Sequence, residues 1–365
     1  MLGGKACQVN WDGDVRATGL GGMVYFGHFL KEAGVFDQWV DACPLKYTSN
    51  NAPSKQEVLG TILAGVVGGA WRYAHLSAIR HDPVLPKMLE IAALVSEDAV
   101  RRALKQAERL PDAWDRWLAA GELATLEPLL AEPYILDVDT TIKPLYGHQQ
   151  GAEIGYNPAK PGRPSHAVHT AFIGALRMVF RDVQGGKRHA ACHLGPVLWR
   201  RLEALPRELW PRLVRGDMGF GNEGWMCECE KHELDYLFKQ RQTGKVRGMV
   251  KLVAGLSGDQ WEDVPGPDGW QVCEAGLQLK GWSRNRRVVV ARRSAPARRR
   301  RSPAHPELPL PDEPVRMDWE YTVLVTGGHL PAAALIQLYL ERADCENVFD
   351  ELKNQWGLAG FTTRD

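Results

Sequence analysis

The sequence predicts an α/β protein built on a mixed sheet, preceded by a mainly helical region and interrupted by a β-rich insertion. Three observations predict it. Residues 20–131 carry helical periodicity and helix-start signals. From Tyr134 onward, short apolar runs alternate with helical stretches. Between about residues 243 and 326, strand-like runs are separated by Gly/Pro turns and by an Arg/Pro-rich loop.

In the helical region, "APSKQEVLGTILAGVV" opens with a capping box, Ser54 and Glu57, and continues with helical spacing. In "VSEDAVRRALKQAERL", Ser96 is the expected N-cap, and Arg101, Arg102 and Lys105 fall on an exposed side. That pattern suits the second helix of a helix-turn-helix as well as a plain helical bundle. Next, "YILDVDT" reads as an apolar strand ending in carboxylates, and "HAVHTAFIGAL" and "RMVFRDV" as two more strands. "GPVLWRRLEAL" reads as a helix, "PRLVRGDMGF" as a strand ending in an acid and a Gly-rich turn, "NEGWMCECEKH" as a helix and "DYLFKQ" as a strand. "WEDVPGPDGWQVCEAGLQLKGW", "RRVVVARR" and "YTVLVTG" give the insertion its strands, and "YLERADCENVFDELK" reads as the last helix. The expected divisions are a helical domain over 1–131, the first part of the α/β core over 132–242, the insertion over 243–328 and a C-terminal core helix over 329–365.

A chain of 365 residues suggests two or three domains, and 44% hydrophobic residues suffice for a packed core. The net charge of +1 gives no global sign of a nucleic-acid partner, but nine arginines lie between Arg284 and Arg301. Seven cysteines, odd in number and irregular in spacing, argue for a reduced cytoplasmic protein and against a disulfide framework. The N-terminus lacks a signal pattern, and the longest apolar run is too short and Gly-rich to span a bilayer. Cys227, Cys229 and His232 do not form a plausible metal site, because residues two apart on a helix point away from each other and no second ligand pair follows. Lys160, Arg163 and His166 lie in a loop, where they read equally as solvated residues or as contacts to a nucleic-acid backbone. The run Arg298, Arg299, Arg300 and Arg301 reads as a flexible counter-ion for phosphates.

The candidate chemistry rests on carboxylates. Asp137 and Asp139 end one strand, Asp217 ends another, and Glu346 sits on the last helix. Acids at strand ends face clefts while the sheet fixes their backbone. If three converge, they require a counter-charge, and hard divalent cations with oxygen ligands provide one. Each also has a bland reading: Asp139 as a cap for the following threonines, Asp217 as a turn-former before Gly219, and Glu346 as an ion-pair partner of Arg342. On a helix at about 100° per residue, Tyr339, Arg342, Glu346 and Lys353 fall within an arc of roughly 60°, beside the apolar stripe of Leu338, Cys345, Phe349, Leu352 and Trp356. Charges at the edge of a buried face need partners.

These residues resemble a known family. Tyr339, Arg342, Glu346 and Lys353 match the Tyr-Arg-Glu-Lys signature of the DDE transposases of bacterial insertion sequences, in the IS-four-like group. "LDVDTT" resembles the first catalytic block of that group and "VRGDMGFGN" the second, while "LYGHQQGAEIGYNPAKPGRPSH" looks most like the IS-thirteen-eighty branch. The resemblance implies an RNase H-like catalytic core. Asp139, Asp217 and Glu346 would be the catalytic acids, holding two Mg²⁺ ions for which Mn²⁺ can substitute. It implies hydrolysis of one strand at each transposon end, followed by attack of the freed 3′-hydroxyl on target DNA. Tyr339, Arg342 and Lys353 would contact DNA, with Lys160, Arg163 and Arg298 to Arg301 as further DNA-binding candidates. The partners implied are terminal inverted repeats and target DNA, with a homodimer in synapsis, in a nucleoid-associated cytoplasmic protein. Relatives usually continue into further C-terminal helices, whereas this sequence ends at Asp365. That departure sets up the alternative of a truncated remnant that binds the inverted repeats without cutting. A carboxylate-pair glycosidase is a third reading, and the Arg/Lys stripe beside Glu346 counts against it because it would depress the pKa of a general acid.

Overall fold

The computed structural model describes residues 16–130, 133–157, 160–187, 190–266, 268–296 and 317–356. Within these ranges, the side chains of residues 179–184, 190–193, 345 and 346 are not described. The chain forms two compact units, one of residues 1–128 with 350–365 and one of residues 129–349.

The described part of residues 16–128 is helical: α1 (Met23–Ala33), α2 (Val35–Ala42), α3 (Lys55–Val67), α4 (Tyr73–Ile79), α5 (Leu85–Met88), α6 (Glu97–Leu104) and α7 (Pro111–Leu126). The expected capping box forms: Ser54 Oγ accepts from the Glu57 N–H at 3.1 Å, and Glu57 Oε2 accepts from the Ser54 N–H at 2.8 Å. Ser96 caps α6 by accepting from the Ala99 N–H. The core includes Phe36, Val58, Leu59, Leu85, Val100 and Trp114. Trp39 stacks on Trp117 at 4.5 Å, and the Trp117 indole N–H is satisfied by the Trp39 carbonyl. α1 lies so close to α5 that a Cβ on Gly27 would meet the Met88 carbonyl oxygen at 1.9 Å, so only glycine fits there.

The second unit is built on one ten-stranded sheet. Its strands are β1 (Ile135–Pro144), β2 (Glu153–Ile154), β3 (Pro164–Ile173), β4 (Met178–Gly185), β5 (Leu213–Gly216), β6 (Asp235–Lys239), β7 (Glu262–Asp263), β8 (Gln271–Leu277), β9 (Arg286–Pro296) and β10 (Met317–Thr326). The order is β2-β3-β1-β5-β6-β10-β9-β8-β7, with β4 also paired to β3. β1, β5 and β6 run parallel, and every other pairing is antiparallel. Two helices, α8 (Ala190–Glu203) and α9 (Glu223–Lys231), lie in the connections that parallel pairing requires. The later helices are α10 (Gly244–Ala254), α11 (Ala332–Leu340) and α12 (Ala343–Asn354). Strands β7 to β10 extend the sheet outward from β6, with β10 paired to it.

α11 packs its apolar face on the sheet, where Leu335 and Ile336 join Leu213, Leu237, Val289 and Leu324 in a shared core. Leu136, Asp137 and Val138 are consecutive and all buried, which marks this part of β1 as covered on both faces. No helix among the described residues is long and apolar enough to cross a membrane.

Candidate active site

The two aspartates are set by strand register. β1 and β5 pair in parallel at Asp137↔Arg215 and Val138↔Gly216, where their ladder ends. Side chains alternate along a strand, so Asp137 and Asp139 share a face of the sheet with Arg215 and Asp217. Asp139 and Asp217 are therefore the next side chains in register beyond the last pair, on strands about 4.8 Å apart. On the opposite face, a Cβ at Gly216 would crowd Val138 Cγ2 at 2.8 Å and Phe220 Cβ at 3.1 Å. The sequence suggested that β1 ends at the acids. Instead it runs on to Pro144, because Thr140 to Pro144 keep pairing with β3 after β5 has stopped. Asp139 thus lies within a strand, beside the opening left by its parallel neighbour.

Each carboxylate is oriented. Asp217 Oδ1 accepts from the Gly219 N–H at 2.8 Å, and Asp139 Oδ1 accepts from the Thr140 N–H at 2.7 Å. Asp139 Oδ2 pairs with Arg342 Nη2 at 2.7 Å, in a pair with side chains only 18% and 10% exposed. Burial is the strongest influence on the Asp139 carboxyl and holds it above its ordinary value. The Arg342 guanidinium and the Thr140 N–H oppose that shift, and the nearby Asp217 charge adds to it. Thr140 Oγ1 in turn lies 2.9 Å from Nδ1 of the buried His169.

The expected unbroken helix over Tyr339–Lys353 is interrupted. α11 ends at Leu340, Glu341 and Arg342 form a turn, and α12 begins at Ala343. At the break the Arg342 N–H bonds to the Tyr339 carbonyl at 3.2 Å, three residues back instead of four. The cause is tertiary: the Arg342 side chain is drawn into the sheet, toward Asp139 and the Val138 carbonyl. Tyr339, at the end of α11, also faces this site. Burial pushes its phenol up to about 12; Asp217 and Asp139 push the same way, while Arg342 and Arg215 pull it down. It stays a neutral hydrogen-bond donor across the physiological range.

Of the sequence candidates, Asp139, Asp217, Tyr339 and Arg342 come together. The backbone of Glu346 lies in α12, but its side chain is outside the described residues, as are Arg298, Arg299, Arg300 and Arg301. Lys353 lies in the last turn of α12, within the other compact unit. Lys160 and Arg163 gather on an exposed ring instead: Lys160 Nζ lies 5.2 Å and Arg163 Cζ 4.3 Å from the centroid of Tyr146, whose phenol is lowered first by a hydrogen bond from Lys160. Of the Cys/His group, Cys227 Sγ bonds to Glu223, Cys229 is buried and His232 stacks on Trp199.

Arg215 and Tyr146 are not legible in the sequence as parts of a site, and Asp137, a candidate strand-end carboxylate, has no legible partner. Asp137 and Arg215 form a buried bidentate pair, Nε to Oδ1 at 2.5 Å and Nη2 to Oδ2 at 2.7 Å. The available signal was the two-residue spacing of Asp137 to Asp139 and of Arg215 to Asp217, which puts each pair on one strand face. Tyr146 had no such signal, because its cations come from the far side of a loop.

The donor set suits a hard divalent cation. Two carboxylates emerge side by side, and the Asp217 charge raises the cost of ionising Asp139, so a cation that takes oxygen ligands relieves their repulsion. In the structure Arg342 supplies the counter-charge to Asp139.

A family model described as "Transposase DDE domain group 1" matches residues 1–364. None of the curated proteins compared with the chain matches it. Among solved structures the chain is similar to one described as "Cryo-EM structure of piggyBac transposase synaptic complex with hairpin DNA (SNHP)", at 10% identity and a TM-score of 0.44, over 93% of this chain and 69% of that one. With the family model spanning nearly every residue, the chain belongs to the DDE transposases, enzymes of DNA transposition and recombination.

Proposed function

We propose that this transposase cuts DNA at the ends of its element and joins the freed 3′-hydroxyl to target DNA by a two-metal DDE mechanism. Asp139, Asp217 and Glu346 would be the catalytic acids. The observation that carries this reading is the register that brings Asp139 and Asp217 out together past the end of the β1–β5 ladder, with Arg342 and Tyr339 facing them. The strand order β4-β3-β1-β5-β6, antiparallel and then parallel, supports an RNase H-like core.

Asp139, Asp217 and Glu346 would hold the Mg²⁺ ions. When bound, such ions activate the attacking oxygen and stabilise the leaving one. The protein's own share is positional. The sheet fixes the spacing of the two aspartates, and the Gly219 and Thr140 N–H groups fix their rotation. Arg342 balances the Asp139 charge and offers a fork suited to phosphate, and the neutral Tyr339 phenol offers a hydrogen bond to the same backbone. Lys160 and Arg163, with Tyr146, would follow the phosphates further out, joined by Lys353 and by Arg298 to Arg301. The helical region over 1–131 would recognise the terminal inverted repeats, with two copies of the chain pairing the two ends. The sequence blocks favour the IS-thirteen-eighty branch and a bacterial cytoplasmic setting.

Strand cleavage tests the reading. The substrate is DNA containing the gene's own flanking segments, incubated with Mg²⁺, Mn²⁺ or chelator, beside the Asp217→Ala variant. Metal-dependent nicks at fixed flanking positions, lost in the variant, are the expected result. Metal-independent binding to the ends without nicks would replace catalysis with a repeat-binding remnant.

A further inference from the structure

We propose that Arg215 caps the C-terminal end of α11 from across the sheet and thereby sets where Tyr339 and Arg342 stand over the two aspartates. It is a positioning residue, and its bearing on cleavage rests on the catalytic reading above.

The last carbonyls of an α-helix have no partner within the helix. In an unbroken helix the Leu338 carbonyl would accept from the Arg342 N–H. That N–H bonds to Tyr339 instead, and Arg215 Nη1 donates to the Leu338 carbonyl in its place. A guanidinium thus substitutes for a peptide donor at the point where the chain turns, and the turn delivers Arg342 to Asp139.

The same guanidinium forks onto Asp137, and both side chains are almost fully buried, at 6% and 4% exposed. Holding β1 to β5 does not require charge, because well-packed apolar residues usually stabilise as well as a buried ion pair. What an apolar pair lacks is a third donor. A planar guanidinium has five N–H groups, so it can grip a carboxylate with two and a carbonyl with another. Asp137 precedes Asp139 by two residues, and Arg215 precedes Asp217 by two. One side chain therefore ties together both aspartate-bearing strands and the turn that carries Tyr339 and Arg342.

Two variants test this. Arg215→Lys keeps the charge balance but loses the fork. Asp137→Leu/Arg215→Met removes both charges, so no buried ion is left alone, and it decides the matter if the lysine variant does not fold. Hydrogen exchange should quicken at least about tenfold for amides 339–344 while β1 and β5 stay protected. Single-turnover cleavage at saturating DNA should fall about 100-fold, with the half-saturating DNA concentration changed less than about threefold, as expected when reacting groups are misplaced but binding is not. Unchanged exchange at the turn, or cleavage within about threefold of wild type at saturating DNA, would overturn the proposal. So would a uniform loss of protection across the sheet, which would make the pair a plain strand anchor. If wild type makes no metal-dependent cuts at all, the catalytic reading falls, and the exchange measurement still decides whether Arg215 is the cap.

Discussion

Arg342 is the residue on which the site's charge balance turns. Its partner Asp139 is buried enough to sit above the ordinary carboxylate range, so removing the guanidinium strands a costly charge. Arg342→Ala should destabilise the protein by about 3 kcal/mol, read from the midpoint of urea unfolding near neutral pH. Arg342→Lys should lose much less stability, because it keeps the charge, yet cleave poorly, because a point charge cannot fork onto phosphate. At this scale the sequence was informative about residue type and silent about pairing. Arg342 stood out because a cation at the edge of an apolar stripe needs a partner. Helix geometry makes only a local partner visible, such as Glu346 four residues on, which is the bland alternative to a catalytic Glu346. Asp139 lies 203 positions earlier, and only the fold brings it within reach.

At the scale of elements, local chemistry was legible where a local cause exists. The Ser54 and Glu57 box starts α3 as read, and Ser54→Ala should cost about 1 kcal/mol in thermal or urea unfolding. The apolar runs around Leu136, Val214 and Leu237 gave three strands of the mixed sheet. The break after Leu340 was hidden, since no Gly or Pro marks it and its causes, Asp139 and Arg215, sit on distant strands. β9 and α9 are joined by a similarly distant link: the nearly buried Arg286 binds Glu223 at 2.6 Å and Glu230 at 3.1 Å. Burial alone would raise the Glu223 carboxyl, but hydrogen bonds from Arg286 and Ser283 hold it down to about 2. A carboxyl depressed in the folded state stabilises above its unfolded value of 4.5 and loses that contribution as pH falls toward about 2. The gap in melting temperature between wild type and Glu223→Gln should therefore be widest near neutral pH and shrink steadily below pH 4.5.

For the whole molecule, a formal charge of +1 hides a segregated distribution, and DNA affinity should follow the local clusters. Replacing Lys160 and Arg163 together by alanine should lower the slope of log affinity against log salt by about 2, with cleavage at saturating DNA little changed. An unchanged slope would remove the Tyr146 cluster from the DNA path. The sheet itself has an uneven width. Its outer strands meet β6 only along Leu324 to Thr326 of β10, supported by a bond from the Gln240 N–H to the Val323 carbonyl, whereas β10 and β9 run together from Met317 to Val325. That seam is about as short as the four-pair β1–β5 and β5–β6 ladders beyond it, so the long outer strands hang on the parallel core by few backbone bonds. Whatever grips β7 to β10 therefore acts on the core through a short seam, one strand away from β5, the strand that leads to Asp217.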